Sequence, residues 1–217
     1  MPQPQPDGYL AVPPTGEGNG VLVLHAWWGL NDTIKAFCTR LAQEGFVALA
    51  PDLFAGKIAR SIEEAEQHQS QWDEEQEVPP ILLPALDDFS KNPAVTGHGL
   101  GVIGFSLGAY WALWLAQKKP GLIRSVTLFY GTDGGGGDFS QSKAAYLGHF
   151  AENDPYEPPA NVEALEESLR RAGRPVTFYR YPGTGHWFFE PDRSQAYNQA
   201  AASLAWERTL AFLKAGE

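Results

Sequence analysis

Short, unbroken apolar runs alternate along the chain with longer stretches in which apolar residues recur every three or four positions. The first pattern belongs to strands buried on both faces and the second to amphipathic helices. Their alternation predicts an α/β fold built on a mostly parallel central sheet with helices on both faces. "VLVLH", residues 21–25, is the first buried strand. A helix follows to Glu44, capped by Asp32 or Thr33 and stopped by Gly45. "FVALAPDLF" is the next strand, ended by Pro51. A polar helical stretch begins at Ser61, a proline-interrupted apolar stretch begins at Ile81, and "GVIGF" is a strand leading directly into a helix. "SVTLFYG", "AAYLGHF" and "VTFYRYPG" read as further strands. A helix over 161–172 separates the last two, and a long helix over 194–214 closes the chain.

Composition narrows what this architecture can do. With 217 residues, 43% of them hydrophobic and 12% aromatic, the chain can bury a large core, and a single domain over 9–217 is expected behind an extended lead-in, residues 1–8. No apolar run reaches the ~18 residues of a membrane span. "MPQPQPDGYL" has neither the basic nor the apolar region of a secretory signal, so a cytoplasmic protein that does not enter a membrane is expected. A formal net charge of -10 argues against nucleic acid, whose binding relies on Lys and Arg to release counterions. The expected partner is a small molecule, and the expected assembly is a monomer or small homo-oligomer. The lone Cys38 lies in a helical pattern and reads as a buried core thiol. No Cys or His spacing suggests a metal, and no organic cofactor is implied.

Three other features read as structural. "GLGVIG" matches a dinucleotide-loop pattern but leads into a strand rather than a helix. "GGGG", residues 134–137, lacks the Lys-Ser or Lys-Thr of a phosphate loop and reads as a flexible connection. The stretch from Ser61 to Ser90 carries acids and no Lys or Arg, the pattern of a solvated helix face.

The chemistry centres on "GFSLG". A serine flanked by Gly104 and Gly108 where a buried strand meets a helix sits on a sharp turn that lifts its hydroxyl above the sheet. Ser106 needs a base to take its proton, and the base needs an acid to hold its ring. Loops at the carboxyl ends of parallel strands converge, so both partners are sought just past later strands. His186, in the glycine-rich loop after "VTFYRYPG", fits the base; His25, His98 and His149 lie at or near strands, and His68 lies in the acidic helix. The loop after "AAYLGHF" offers Glu152, Asp154 and Glu157 as the acid.

"HAWWGLND", "APDLFAGK", "GFSLGA", "LGHFAENDPY", "YPGTGHWFFEP" and "AYNQAAASLAWERTLAFL", in this order, resemble the dienelactone hydrolase family of α/β-hydrolases over nearly the whole chain. The resemblance implies an α/β-hydrolase fold without a separate lid domain. It implies Ser106 as nucleophile, His186 as general base and then acid, and it singles out Asp154 as the orienting carboxylate. The backbone N–H groups of Trp27 and Leu107 would form the oxyanion hole. Trp28, Tyr130, Trp187 and Phe188 stand next to these motifs and are candidates for an apolar substrate pocket.

This chain also departs from the family pattern. Typical members carry Cys as nucleophile and a Glu in the "HAWWG"-type stretch, where this chain has Ser106 and Ala26. A thiol can be held near its ionisation point by a carboxylate, whereas an alcohol must lose its proton during attack, so the two changes are chemically consistent. An arginine that holds an anionic substrate in the family is replaced here by Glu190, whose charge would repel such a substrate. The expected activity is that of a serine hydrolase cleaving small, neutral carboxylic esters, lactones or thioesters through an acyl-enzyme. The alternatives are a catalytically weak binding protein on a hydrolase scaffold, and a dienelactone hydrolase altered from Cys to Ser at position 106.

Overall fold

The computed structural model describes residues 8–215, so the lead-in expected over 1–8 lies, apart from Gly8, outside the described residues. The chain forms two compact units that divide between Gly97 and His98. Among the described residues are seven strands and six helices, and every described strand pairing but one is parallel, as the alternating pattern implies.

In the N-terminal unit, β2 (Gly18–Leu24) pairs parallel with β3 (Val47–Pro51). β1 (Gly8–Ala11) pairs antiparallel with the other edge of β3, from Gly8 opposite Pro51 to Ala11 opposite Ala48. Helix α1 (Asp32–Gln43) buries Ile34, Phe37, Cys38 and Leu41, the spacing of one helical face. Its cap is Asn31, whose side chain accepts the Ile34 N–H, one residue before the expected Asp32 or Thr33. The end is a Schellman turn: Gly45 has φ 98°, its N–H meets the Ala42 carbonyl, and the Phe46 N–H meets that of Leu41. α2 (Ile62–Ser70) is capped by Ser61. α3 (Glu74–Phe89) is continuous through Pro79, Pro80 and Pro84, where the sequence pattern suggests an interruption. Burial of Val78, Leu82, Ala85, Leu86 and Phe89 along one side offsets the hydrogen bonds that the prolines cannot make.

In the C-terminal unit, β4 (Val95–Phe105, which begins just before the division), β5 (Ile123–Phe129), β6 (Ala145–Asn153) and β7 (Val176–Gly185) pair in that order, all parallel. α4 (Leu107–Lys118), α5 (Pro159–Arg171) and α6 (Gln199–Ala215) complete it. α6 begins later than expected, because residues 194–198 are used in turns and Asn198 accepts the Ala201 N–H at the helix start. The register aligns Phe105, Phe129, His149 and Tyr179 as one row across the four strands. Phe105 stacks on Phe129 at 4.6 Å, and the Arg208 guanidinium covers Tyr179 at 3.7 Å. This aromatic row is a floor, and the residues that follow it in the chain are Ser106 after β4 and Tyr130 after β5.

Candidate active site

Ser106 stands between the end of β4 and the first residue of α4 with φ 51° and ψ -114°, a conformation that side chains other than glycine rarely adopt. Its backbone is held from two directions. The Ser106 N–H donates to the Phe129 carbonyl at 2.8 Å, and its carbonyl accepts the Ala109 N–H at 2.8 Å. Two glycines make this approach possible. A Cβ on Gly104 would strike the backbone of Gly108 and Ala109, and one on Gly131 would strike the Ser106 carbonyl.

The other two groups come from the next loops at the same strand ends. Asp154 directly follows β6, and its Oδ1 accepts the backbone N–H groups of Tyr156 at 2.9 Å and Glu157 at 3.0 Å, which fixes the carboxylate. His186 directly follows β7; its loop turns at Trp187, with φ 64°, and closes through a bond from the Glu190 N–H to the Trp187 carbonyl. His186 Nδ1 lies 2.8 Å from Asp154 Oδ2, and its Nε2 lies 2.8 Å from Ser106 Oγ. A carboxylate can only accept, so Nδ1 carries the proton and Nε2 presents a lone pair to the serine hydroxyl. The side chains of His186 and Asp154 are only 5% and 4% exposed, which shields their interaction from water. The arrangement can draw a proton from a serine as its oxygen attacks.

The other acids of the Asp154 loop are engaged elsewhere. Glu152 accepts the Gly183 N–H, and Glu157 accepts the N–H and hydroxyl of Thr132 while burial raises its pKa. The buried His149 and His25 are likewise committed. His149 is bonded to Tyr181 and Thr209, and burial lowers its pKa to about 3. In the N-terminal unit, His25 bonds the Ala26 carbonyl through Nδ1 and accepts the Leu53 N–H at Nε2, and burial lowers its pKa.

The remaining expected site residues fall in different places. Leu107 opens α4, where a backbone N–H has no acceptor within the helix. Trp27 lies in the N-terminal unit, inside the turn closed by the Gly29 N–H on the Ala26 carbonyl and pinned by His25. Trp28, in the same turn, is buried, as are Tyr130 and Phe188 in the C-terminal unit; Trp187 is partly exposed. Sequence reasoning passed over Tyr156. It is 45% exposed, with its ring 5.1 Å from that of His186 and 5.0 Å from that of Trp187. Its place two residues after Asp154 was the available signal.

Glu190 corrects one expectation. Its side chain is buried, it accepts the Tyr130 hydroxyl at 2.7 Å, and burial pushes its pKa up to about 8. Burial therefore disfavours its charged form, which weakens the charge repulsion expected of it.

The chain matches the dienelactone hydrolase family over residues 7–216. It is 33% identical to protein usf of Aquifex pyrophilus, covering 95% of this chain and 92% of that protein. It is 30% identical to a protein of Bradyrhizobium sp. named as a probable 2-oxo-3-(5-oxofuran-2-ylidene)propanoate lactonase, over 95% and 88% of the two chains. Among solved structures, one from Klebsiella pneumoniae superposes with a TM-score of 0.81 at 24% identity, covering 94% of this chain and 90% of that one. The Est2 esterase of Thermogutta terrifontis superposes at 0.73 with 14% identity, over 95% and 86%. The chain therefore belongs to the dienelactone hydrolase family, has the α/β-hydrolase fold, and is a carboxylic ester hydrolase of the ester and lactone type acting on small molecules.

Proposed function

We propose that this hydrolase works through an acyl-enzyme on Ser106, with His186 as proton carrier and Asp154 holding the imidazole. The observation that carries the reading is the 2.8 Å approach of Ser106 Oγ to His186 Nε2. As Oγ attacks the ester carbonyl carbon, Nε2 takes its proton, and the negative charge moves to the carbonyl oxygen. The Leu107 N–H donates to that oxyanion, an interaction whose loss typically costs ~100-fold or more in rate. Collapse breaks the bond to the alcohol, which leaves with the proton from His186. Water then gives a proton to Nε2 and attacks the acyl carbon, releasing the acid and restoring the serine hydroxyl. In a lactone the leaving alcohol stays tethered to the acyl group, and the same steps open the ring.

The substrate class follows from the surroundings of His186. Tyr156 and Trp187 offer partly exposed aromatic surface suited to a small apolar acyl or alcohol group. Position 190 supplies a buried, mainly neutral carboxyl in place of a cation, which favours neutral esters and lactones over anionic ones.

Intact mass after incubation with a fluorophosphonate tests the nucleophile. One adduct, with loss of fluoride, is expected on the parent chain and none on Ser106→Ala. A folded parent that takes no adduct, or a Ser106→Ala variant that still does, overturns the reading.

A further inference from the structure

Tyr130 and Glu190 form a buried connection behind the proposed base that the acyl-enzyme scheme does not use. Tyr130 follows β5 with φ 39°, a strained conformation for a bulky residue, and its backbone N–H donates to the His149 carbonyl at 2.9 Å. Its ring is fully buried, tilted against that of His186 at 4.9 Å and edge-on to Phe188 at 5.6 Å. Its hydroxyl reaches Glu190 Oε1 at 2.7 Å, whereas Oε2 of the same carboxyl is buried without a hydrogen-bond partner. A buried polar atom without a partner is costly and asks for a reason.

We propose that Tyr130 and Glu190 are positioning residues for His186: the Tyr130 ring supports the imidazole, and the Glu190 carboxyl anchors that ring from the far side of the histidine loop. The inference rests on the acyl-enzyme reading for its effect on turnover, but not for its effect on His186 itself. The pair joins the tip of β5 to the loop after β7, so it ties the strand end next to Ser106 to the loop that carries the base. The charged and titratable groups facing the pair are His186, Asp192 and Arg193 from the histidine loop, and Asp154 from the loop after β6. Arg193 is itself paired with Asp192 at 3.0 Å.

This arrangement gives His186 a second influence besides Asp154. While Glu190 holds its proton, the carboxyl is only an anchor. Once it ionises, near pH 8, a negative charge appears at the hydroxyl end of the Tyr130 ring that packs on the imidazole. The Tyr130 hydroxyl stabilises the ionised carboxyl, so removing it moves this event to higher pH.

The test follows the His186 ring by histidine-selective NMR across pH in the parent, Glu190→Gln and Tyr130→Phe, with kcat and KM measured in parallel on a small neutral ester. The His186 ring signals of the parent are expected to register the ionisation of Glu190 as an inflection near pH 8, absent in Glu190→Gln and moved upward in Tyr130→Phe. Tyr130→Phe is expected to lower kcat about tenfold with KM within about twofold, since it loosens the base without touching the substrate. Superimposable His186 ring signals across pH in the parent and Glu190→Gln overturn the proposal. A parent that hydrolyses no ester overturns the acyl-enzyme reading instead, and the NMR comparison still decides the role of the pair.

Discussion

His149 and His186 are both buried, both hydrogen-bonded at each ring nitrogen, and both placed on the β6–β7 side of the C-terminal unit, yet only His186 has the partners that the proposed mechanism requires. His149 lies within β6 among rings, with Phe129 at 4.7 Å and Tyr179 stacked at 6.2 Å. The Thr209 hydroxyl spends its proton on the Ala205 carbonyl, so it accepts from His149 Nε2, and Nδ1 accepts from Tyr181. Every partner is neutral, and the ring stays neutral with them. His186 instead faces a carboxylate on one side and a serine hydroxyl on the other, so charge developed on its ring has an immediate counterion. What separates the structural histidine from the proposed base is the chemistry of their two partners rather than their depth.

Asp154→Asn should break that difference most severely. An amide can no longer hold the imidazole as an Nδ1–H tautomer through a negative charge, and kcat is expected to fall about 10⁴-fold on a small neutral ester. The fold should persist, because the amide oxygen can still accept from Tyr156 and Glu157. Steady-state kinetics alongside a thermal melt checks both halves; a fall below tenfold would remove Asp154 from the mechanism.

The opposite side of the comparison concerns stability. His149 titrates at about 3 in the folded chain against an ordinary 6.5, so between these values the unfolded chain binds the extra proton. Stability from this group is therefore present above pH 6.5 and is lost as pH falls, by about 2 kcal/mol between pH 7 and pH 5. His25, whose pKa is also lowered, adds a loss of the same sign. Urea unfolding at the two pH values should show the decline, and His149→Phe should flatten part of it. An equal decline in that variant would assign the acid sensitivity to other groups.

These contrasts were unequally legible in the sequence. The turn at Ser106 could be read because its requirements are local: a strand, a helix, and a glycine at 104 where any Cβ meets backbone. The face of α1 was equally plain from its spacing, and its cap was misplaced by one residue because Asn31, Asp32 and Thr33 can all cap a helix. Helix α3 was obscured by three prolines, since the burial that sustains it is a tertiary effect. β1 is a short strand defined by its pairing to β3 rather than by any pattern of its own. Least legible were the acids. Nothing in the spacing of Glu152, Asp154 and Glu157 shows which meets His186, and Glu190 reads as a charge until its burial is known.

The smallest effect probes how open the proposed base is. His149 is sealed, whereas His186 borders Tyr156, which is exposed enough for an acyl or alcohol group to reach it. Tyr156→Ala should raise KM for an aromatic ester a few-fold, in line with about 0.5–1.5 kcal/mol for an aromatic contact. It should leave kcat within about twofold, because the Tyr156 N–H that fixes Asp154 belongs to the backbone and survives the substitution. Kinetics on a matched pair of aromatic and methyl esters separates the two contributions. A KM increase confined to the aromatic ester makes Tyr156 a surface for substrate, whereas an equal fall in kcat for both esters would mean that its ring holds His186 in place.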